Sequence, residues 1–339
     1  MSAPPLPPVS TRLTLPGIRI GHGSDTRGMT GVTVFLCPEG AAAAAEVRGS
    51  ATGTRQFDSL TDPRHIASRI HAVVLAGGSG FGLSAADAVV EHLASRGHGF
   101  ETGYGLVPLV PTAILFDLAF GKVKPRSYRE LATEALEDAL RSGEAEGEGS
   151  EISVGSVGAG TGATVGKALG PERGMKGGFG FASLTVQDGP TVAAAVAVNA
   201  FGDVRDPDDG RLLAGCRSAP DSLELASAER EVAALPPGHD HVWEGNTTLA
   251  VVMTDAGLSR QAASKVCQMA FGGFYRALSP ALSLYDGDLV VTLSLGQRPA
   301  HVNQVGVLAQ HAVAQAIVRA VESADGFGLV PAARDLPRA

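Results

Sequence analysis

The chain has 339 residues and a formal net charge of −8. It holds 44 glycines, and aromatic residues make up only 5 %, so a core of this size must be packed with small and β-branched side chains. No segment is rich in both Lys/Arg and aromatics, which argues against a nucleic-acid binder. The three cysteines, Cys37, Cys216 and Cys267, are far apart and odd in number. They form neither a disulfide framework nor a zinc pattern, and read as reduced thiols of a cytoplasmic protein.

Residues 1–12 start Pro-rich, without a basic stretch leading into an apolar one. They are expected to be a disordered tail and not a signal peptide. No apolar run is long enough to span a membrane. Gly31–Cys37 (GVTVFLC) has the β-branched density of a strand. The Ala41–Ala45 run has no period that assigns it. Ala72–Ala76 (AVVLA) reads as a buried strand. It leads through a Gly-rich turn into a helix whose Ala85, Ala86, Val89, Val90 and Leu93 share one face, with Gly97 as its stop.

Ser127 and Glu130 form a capping-box pattern, and Leu131, Ala135 and Leu140 extend the apolar side of the helix it opens. Residues 142–150 (SGEAEGEGS) are polar, acidic and Gly-rich, as in a mobile surface loop. Phe181–Gln187 and Thr191–Asn199 read as a hairpin turned at Asp188-Gly189. Residues 203–245 are loop-rich, with a helical pattern only at Leu223–Leu235. Regular pattern resumes with a strand at Thr248–Thr254, a helix capped by Ser259, a strand at Leu289–Leu293 and a closing helix at Gln304–Val321. Interleaved strands and helices predict one layered α/β domain over residues 13–325, followed by a tail, 326–339.

Chemistry concentrates at Gly245-Asn246-Thr247-Thr248, where a loop meets a strand. A hydroxyl residue there can attack the preceding carbonyl. An N→O acyl shift followed by hydrolysis then frees an N-terminal threonine, whose α-amine, of reference pKa about 8, can serve as base. Taken alone, Asn-Thr-Thr is also an ordinary strand entry. The Gly-rich run Gly158–Gly166 is not a P-loop, because Thr161 and Ala168 stand at two of its required positions. It reads as a close backbone turn able to lend N–H groups to a site.

Several segments together resemble the P1 (DmpA-type) family of peptidases. They are Leu75–Leu83 (LAGGSGFGL), Pro111–Leu118 (PTAILFDL), Gly158–Lys167 (GAGTGATVGK), Val198-Asn199, Gly245–Thr248 and Asp286-Gly287-Asp288. Asn-Thr-Thr together with Asp-Gly-Asp is most similar to the self-cleaving nylon-oligomer (6-aminohexanoate-oligomer) endo-hydrolases. The resemblance implies a four-layer α-β-β-α sandwich of the DmpA/ornithine acetyltransferase type, N-terminal-nucleophile-like. It also implies cleavage into chains 1–246 and 247–339, and a tetramer of the cleaved heterodimers. No metal or organic cofactor is implied, and the partner is an amide substrate, with neither nucleic acid nor membrane.

The resemblance likewise implies the site. Thr247 is the nucleophile and Asn246 the end of the large chain. Asn199 binds the oxyanion, Lys167 stands beside the nucleophile, Asp286 and Asp288 hold the threonine ammonium or a substrate amine, and Tyr128 is an active-site tyrosine. Lys176 is a rival for the role of Lys167. Two other activities share this pattern: an aminopeptidase for β- or D-amino acid peptides, and an acyltransferase of the ornithine acetyltransferase type.

Overall fold

The computed structural model describes residues 6–62, 64–121, 124–142, 149–237 and 245–337. The main strands are β1 (Arg19–Asp25), β2 (Thr30–Val47), β3 (Ile70–Ala76), β4 (Thr112–Ile114), β5 (Gly178–Thr185), β6 (Thr191–Asn199), β7 (Thr247–Ala256) and β8 (Leu289–Arg298). The main helices are α1 (Ala85–Ser95), α2 (Tyr128–Ser142), α3 (Arg260–Ala277) and α4 (Val302–Glu322). The fold is mixed α/β. Strands run in the order β5-β6-β7-β8-β2-β3-β4, closed by a short strand at Gly53–Arg55, and β1 also pairs with β2.

β2 makes this arrangement possible. Its first half pairs with β1 and β3, and its second half, which contains Ala41–Ala45, pairs with β8. The ladder to β3 shifts register between Leu36 and Ala41, where Gly40 takes φ +80. The alanine run is therefore strand, and small side chains let both neighbouring layers approach it.

Alternation along the strands sorts the core. On β7, Ala250 and Val252 join Val266, Phe271, Val313 and Ile317 of α3 and α4. Leu249, Val251 and Met253 of the same strand face Phe35, Val73 and Leu75 of β2 and β3. On the opposite side of β2 and β3, Val32, Val34 and Val74 pack on Val89, Leu131 and Ala135 of α1 and α2. All three cysteines are buried, and burial pushes the Cys267 thiol up to about 12. Among the described residues no helix is long and apolar enough to cross a membrane.

Several local expectations change. Ser10 pairs with Ser183 and Arg12–Leu13 with Ser150–Glu151, so the described part of 1–12 is tied down. The segment after 325 folds back: Val330 and Ala332 are buried, and the Lys176 N–H donates to the Pro331 carbonyl. Helix within Leu223–Leu235 is confined to Ala228–Ala233, where Ser227 caps it and Pro236 follows closely. Only half of the Ser127 capping box forms, with the Glu130 N–H donating to the Ser127 hydroxyl at 3.2 Å. Most of the acidic loop expected at 142–150 lies outside the described residues.

Candidate active site

β6 and β7 pair antiparallel with Asn199 opposite Thr247, so the strand ends bring the two side by side. Asn246 lies one residue before the ladder and bridges Asp286, with its N–H donating to the Tyr285 carbonyl at 3.1 Å. The Asn246 carbonyl accepts the Gly287 N–H at 2.8 Å and a short hydrogen bond from the Thr247 hydroxyl. The hydroxyl thus already lies against the carbonyl it would attack. Asn246 and Thr247 are each only 2 % exposed in the continuous chain. Gly245 enters this corner with φ +61, and a side chain there would strike Phe116.

Asn199 is the hub. Its Oδ1 accepts Lys167 Nζ at 2.9 Å and the Thr164 N–H at 2.9 Å. Its Nδ2 donates to the carbonyls of Phe116, at 2.9 Å, and Gly245, at 3.4 Å. The expected backbone donor from the Gly-rich run is therefore Thr164. Lys167 also reaches the Asn199 carbonyl at 3.3 Å and lines a cleft of about 270 Å³ with Phe116, Asp117, Leu118, Phe120, Thr164 and Pro171. Lys176 is somewhere else. It is fully buried and spends its ammonium on the carbonyls of Gly160, Ala163 and Gly177 at 2.8–3.1 Å.

Both acidic residues reach the same corner, by different bonds. Asp286 accepts from the Phe201 N–H and from the Ser283 N–H and hydroxyl. Asp288 accepts the Thr248 N–H at 2.6 Å, next to Thr247. Burial raises the Asp286 carboxyl, against the pull of Ser283, Phe201 and Lys167. Burial raises Asp288 well above the carboxylate range, and the charge of Asp286 adds to this. Two buried carboxylates so placed resist ionising together, and a cation beside them would let both ionise. The Asp288 carboxyl bonds β7 itself, at Thr248, whereas the Asp286 carboxyl is engaged with Phe201 and Ser283.

Tyr128 stands apart from this group. Its hydroxyl is 3.4 Å from the Thr30 hydroxyl and sits over Gly78, and burial pushes its phenol up to about 12. Its position on the first turn of α2 directs it to Thr30 and Gly78. Asp117 was missed in the sequence as an individual residue, although it lies in the PTAILFDL motif. It is 2 % exposed; its Oδ1 accepts the Gly78 N–H at 2.7 Å, while Oδ2 faces the Thr30 hydroxyl without closing a hydrogen bond. Gly287, hidden between two aspartates, was missed as well.

Burial pushes Asp117 up to about 7, with Gly78, Thr30 and Lys176 opposing. The folded chain then keeps a proton that the unfolded chain loses above about pH 4. The penalty is absent in acid and grows as pH rises towards 7. Asp117→Asn keeps the Gly78 bond and carries no charge. Its melting temperature should exceed that of the parent by about 2 °C or more at pH 8, with the advantage gone at pH 4. An equal difference at both pH values would show that the charge is not what Asp117 contributes to stability.

The model of peptidase family S58 matches residues 13–330. The chain belongs to peptidase family S58. It is accordingly an amide-bond hydrolase. An uncharacterized aminopeptidase of Mycobacterium leprae is 35 % identical, over 96 % of this chain and 93 % of that protein. The 6-aminohexanoate-oligomer endohydrolase of Paenarthrobacter ureafaciens is 27 % identical, over 84 % of this chain and 74 % of that protein. Among solved structures, the L-aminopeptidase D-Ala-esterase/amidase from Ochrobactrum anthropi superposes with a TM-score of 0.68 at 17 % identity, covering 94 % of this chain and 88 % of that one. That structure is described as a variant of the Ntn hydrolase fold, and the likeness extends this fold to the S58 chain.

Proposed function

We propose that this S58 chain is a self-processing amide hydrolase whose nucleophile is Thr247. The observation that carries the reading is the Thr247 hydroxyl lying on the Asn246 carbonyl, directly across from Asn199. Cleavage frees the Thr247 α-amine, which takes the proton of its own hydroxyl as that oxygen attacks a substrate carbonyl. Departure of the Gly245–Asn246 end releases Asn199 Nδ2 from the Gly245 carbonyl and gives it to the substrate oxyanion. Lys167 holds Asn199 in place and adds positive charge. The departing amine carries off the proton, and water splits the ester on Thr247. The packing of β-strands between two pairs of helices supports the four-layer α-β-β-α order, and the family resemblance supports a tetramer of cut chains.

The substrate in this reading is a linear amide or oligomer of the 6-aminohexanoate type, which suits the apolar walls of Phe116, Leu118, Phe120 and Pro171. A second reading, an aminopeptidase, is supported by the carboxyl pair of Asp286 and Asp288 at the Thr247 corner, which a substrate ammonium would let ionise. Product analysis on 6-aminohexanoate oligomers and on aminoacyl amides, with and without an added amine acceptor, separates these readings. Internal cleavage products favour the first and stepwise N-terminal release the second, whereas acyl transfer to the acceptor in preference to water would refute a hydrolase.

Asp288 supplies a pH test. In the cut chain its carboxylate stabilises the Thr247 ammonium, so the rate should rise with pH as that amine loses its proton. Asp288→Asn should move this limb down by about one pH unit, because the ammonium loses an anionic partner. Asp286→Asn should move it less, since Asp286 is engaged with Ser283 and Phe201. A larger shift for Asp286→Asn than for Asp288→Asn would reverse the assignment.

A further inference from the structure

Resting on the self-cleavage reading, we infer that the Gly287 backbone N–H is the oxyanion donor for cutting the Asn246–Thr247 bond. In that step Thr247 Oγ1 bonds to the Asn246 carbonyl carbon. The carbonyl oxygen takes the negative charge of the tetrahedral intermediate. The Asn246 C–Thr247 N bond then breaks, and the hydroxyl proton ends on the released nitrogen. Water splits the ester, leaves a carboxylic acid on Asn246 and restores the hydroxyl.

The charged atom is the Asn246 carbonyl oxygen, and the Gly287 N–H already donates to it at 2.8 Å. Asn199 Nδ2 is committed at this stage to Phe116 and Gly245. The donor is held from several sides. Asn246 bridges Asp286, the Asp286 carbonyl accepts the Ala51 N–H, and the Asp288 carbonyl accepts the N–H groups of Arg48 and Gly49. The residue must also be glycine: a Cβ would stand 2.7 Å from Thr247 Oγ1 and 2.8 Å from the Ala51 carbonyl oxygen. The middle residue of Asp-Gly-Asp therefore polarises the scissile carbonyl and leaves room for the hydroxyl.

Full-length chain made by cell-free translation, with glycolic acid in place of Gly287, lacks only this N–H and has an ester where the amide was. Its self-cleavage, followed by intact mass, should be slowed by about a hundredfold, as for loss of one oxyanion donor. Gly287→Ala is the second variant. It keeps the N–H but crowds Thr247 Oγ1, and it should also be slowed, at least tenfold. Folding of each uncut chain is checked by its melting transition. A folded glycolic-acid variant that is cut within threefold of the parental rate overturns the inference. So does a folded Gly287→Ala chain cut at the parental rate. A parent chain that never cuts would instead overturn the self-cleavage reading itself, so the two failures are distinct.

Discussion

Thr247→Ala should stay a single chain of 339 residues, while the parent separates into fragments 1–246 and 247–339 with no protease added. The substitution removes the hydroxyl that lies against the Asn246 carbonyl and leaves the surrounding hydrogen bonds largely intact. The Gly287 N–H still reaches that carbonyl, and β7 still pairs with β6. Amide hydrolysis should fall to background, a loss of roughly 10⁴-fold or more, because nucleophile and amine base disappear together. Intact mass and a denaturing gel measure the first effect, and release of product amine the second. A parent chain that stays uncut and is nonetheless fully active would remove the basis for an N-terminal nucleophile here.

Replacing the two buried lysines should produce opposite profiles. Lys167→Ala withdraws the cation from Asn199 Oδ1 and from the cleft wall. Turnover per active site should drop about a hundredfold or more, as when a preorganised charge-stabilising group is lost. Lys176→Met should act on stability instead. It leaves the Gly177 carbonyl without its lysine donor and takes one of two hydrogen bonds from the carbonyls of Gly160 and Ala163, which keep the N–H groups of Ala163 and Gly177, and a buried acceptor left unpaired costs about 1–3 kcal/mol. A fall in melting temperature of roughly 2 °C or more follows, with turnover of the folded fraction near that of the parent. Steady-state kinetics on titrated active sites, paired with thermal melts, separates the two. Loss of turnover in Lys176→Met alone would exchange their roles.

The local patterns that were readable have local causes. Strands such as Thr191–Asn199 and Thr248–Thr254 announce themselves because apolar β-branched runs pay little heed to distant context. Ser259 marks a helix start because its hydroxyl must meet the Ala262 N–H three residues on. Ala41–Ala45 carried no such mark. Poly-alanine favours helix on its own, and it is strand here because β8 pairs along it. Leu223–Leu235 erred the other way: its apolar residues suggested more helix than the Ser227 cap and the following Pro236-Pro237 allow.

The same division runs through the site. The Asn246–Thr247 junction is marked in the sequence by its own adjacent residues, whereas Lys167 and the paired carboxylates of Asp286-Gly287-Asp288 are pointed to only through the family resemblance. Tertiary structure decided which lysine meets Asn199, that Tyr128 meets Thr30 over Gly78, and that the Asp288 carboxyl rather than that of Asp286 bonds the Thr248 N–H beside Thr247. It also set the Gly287 N–H against the Asn246 carbonyl. These are contacts between segments tens of residues apart or more, and those of Asn199, Thr247 and the Asp-Gly-Asp turn depend on the antiparallel register at β6–β7 and on the parallel β7–β8 pair that follows that turn. A shift of one residue in the β6–β7 ladder would turn Asn199 away from Thr247, and no property of a single segment specifies that register.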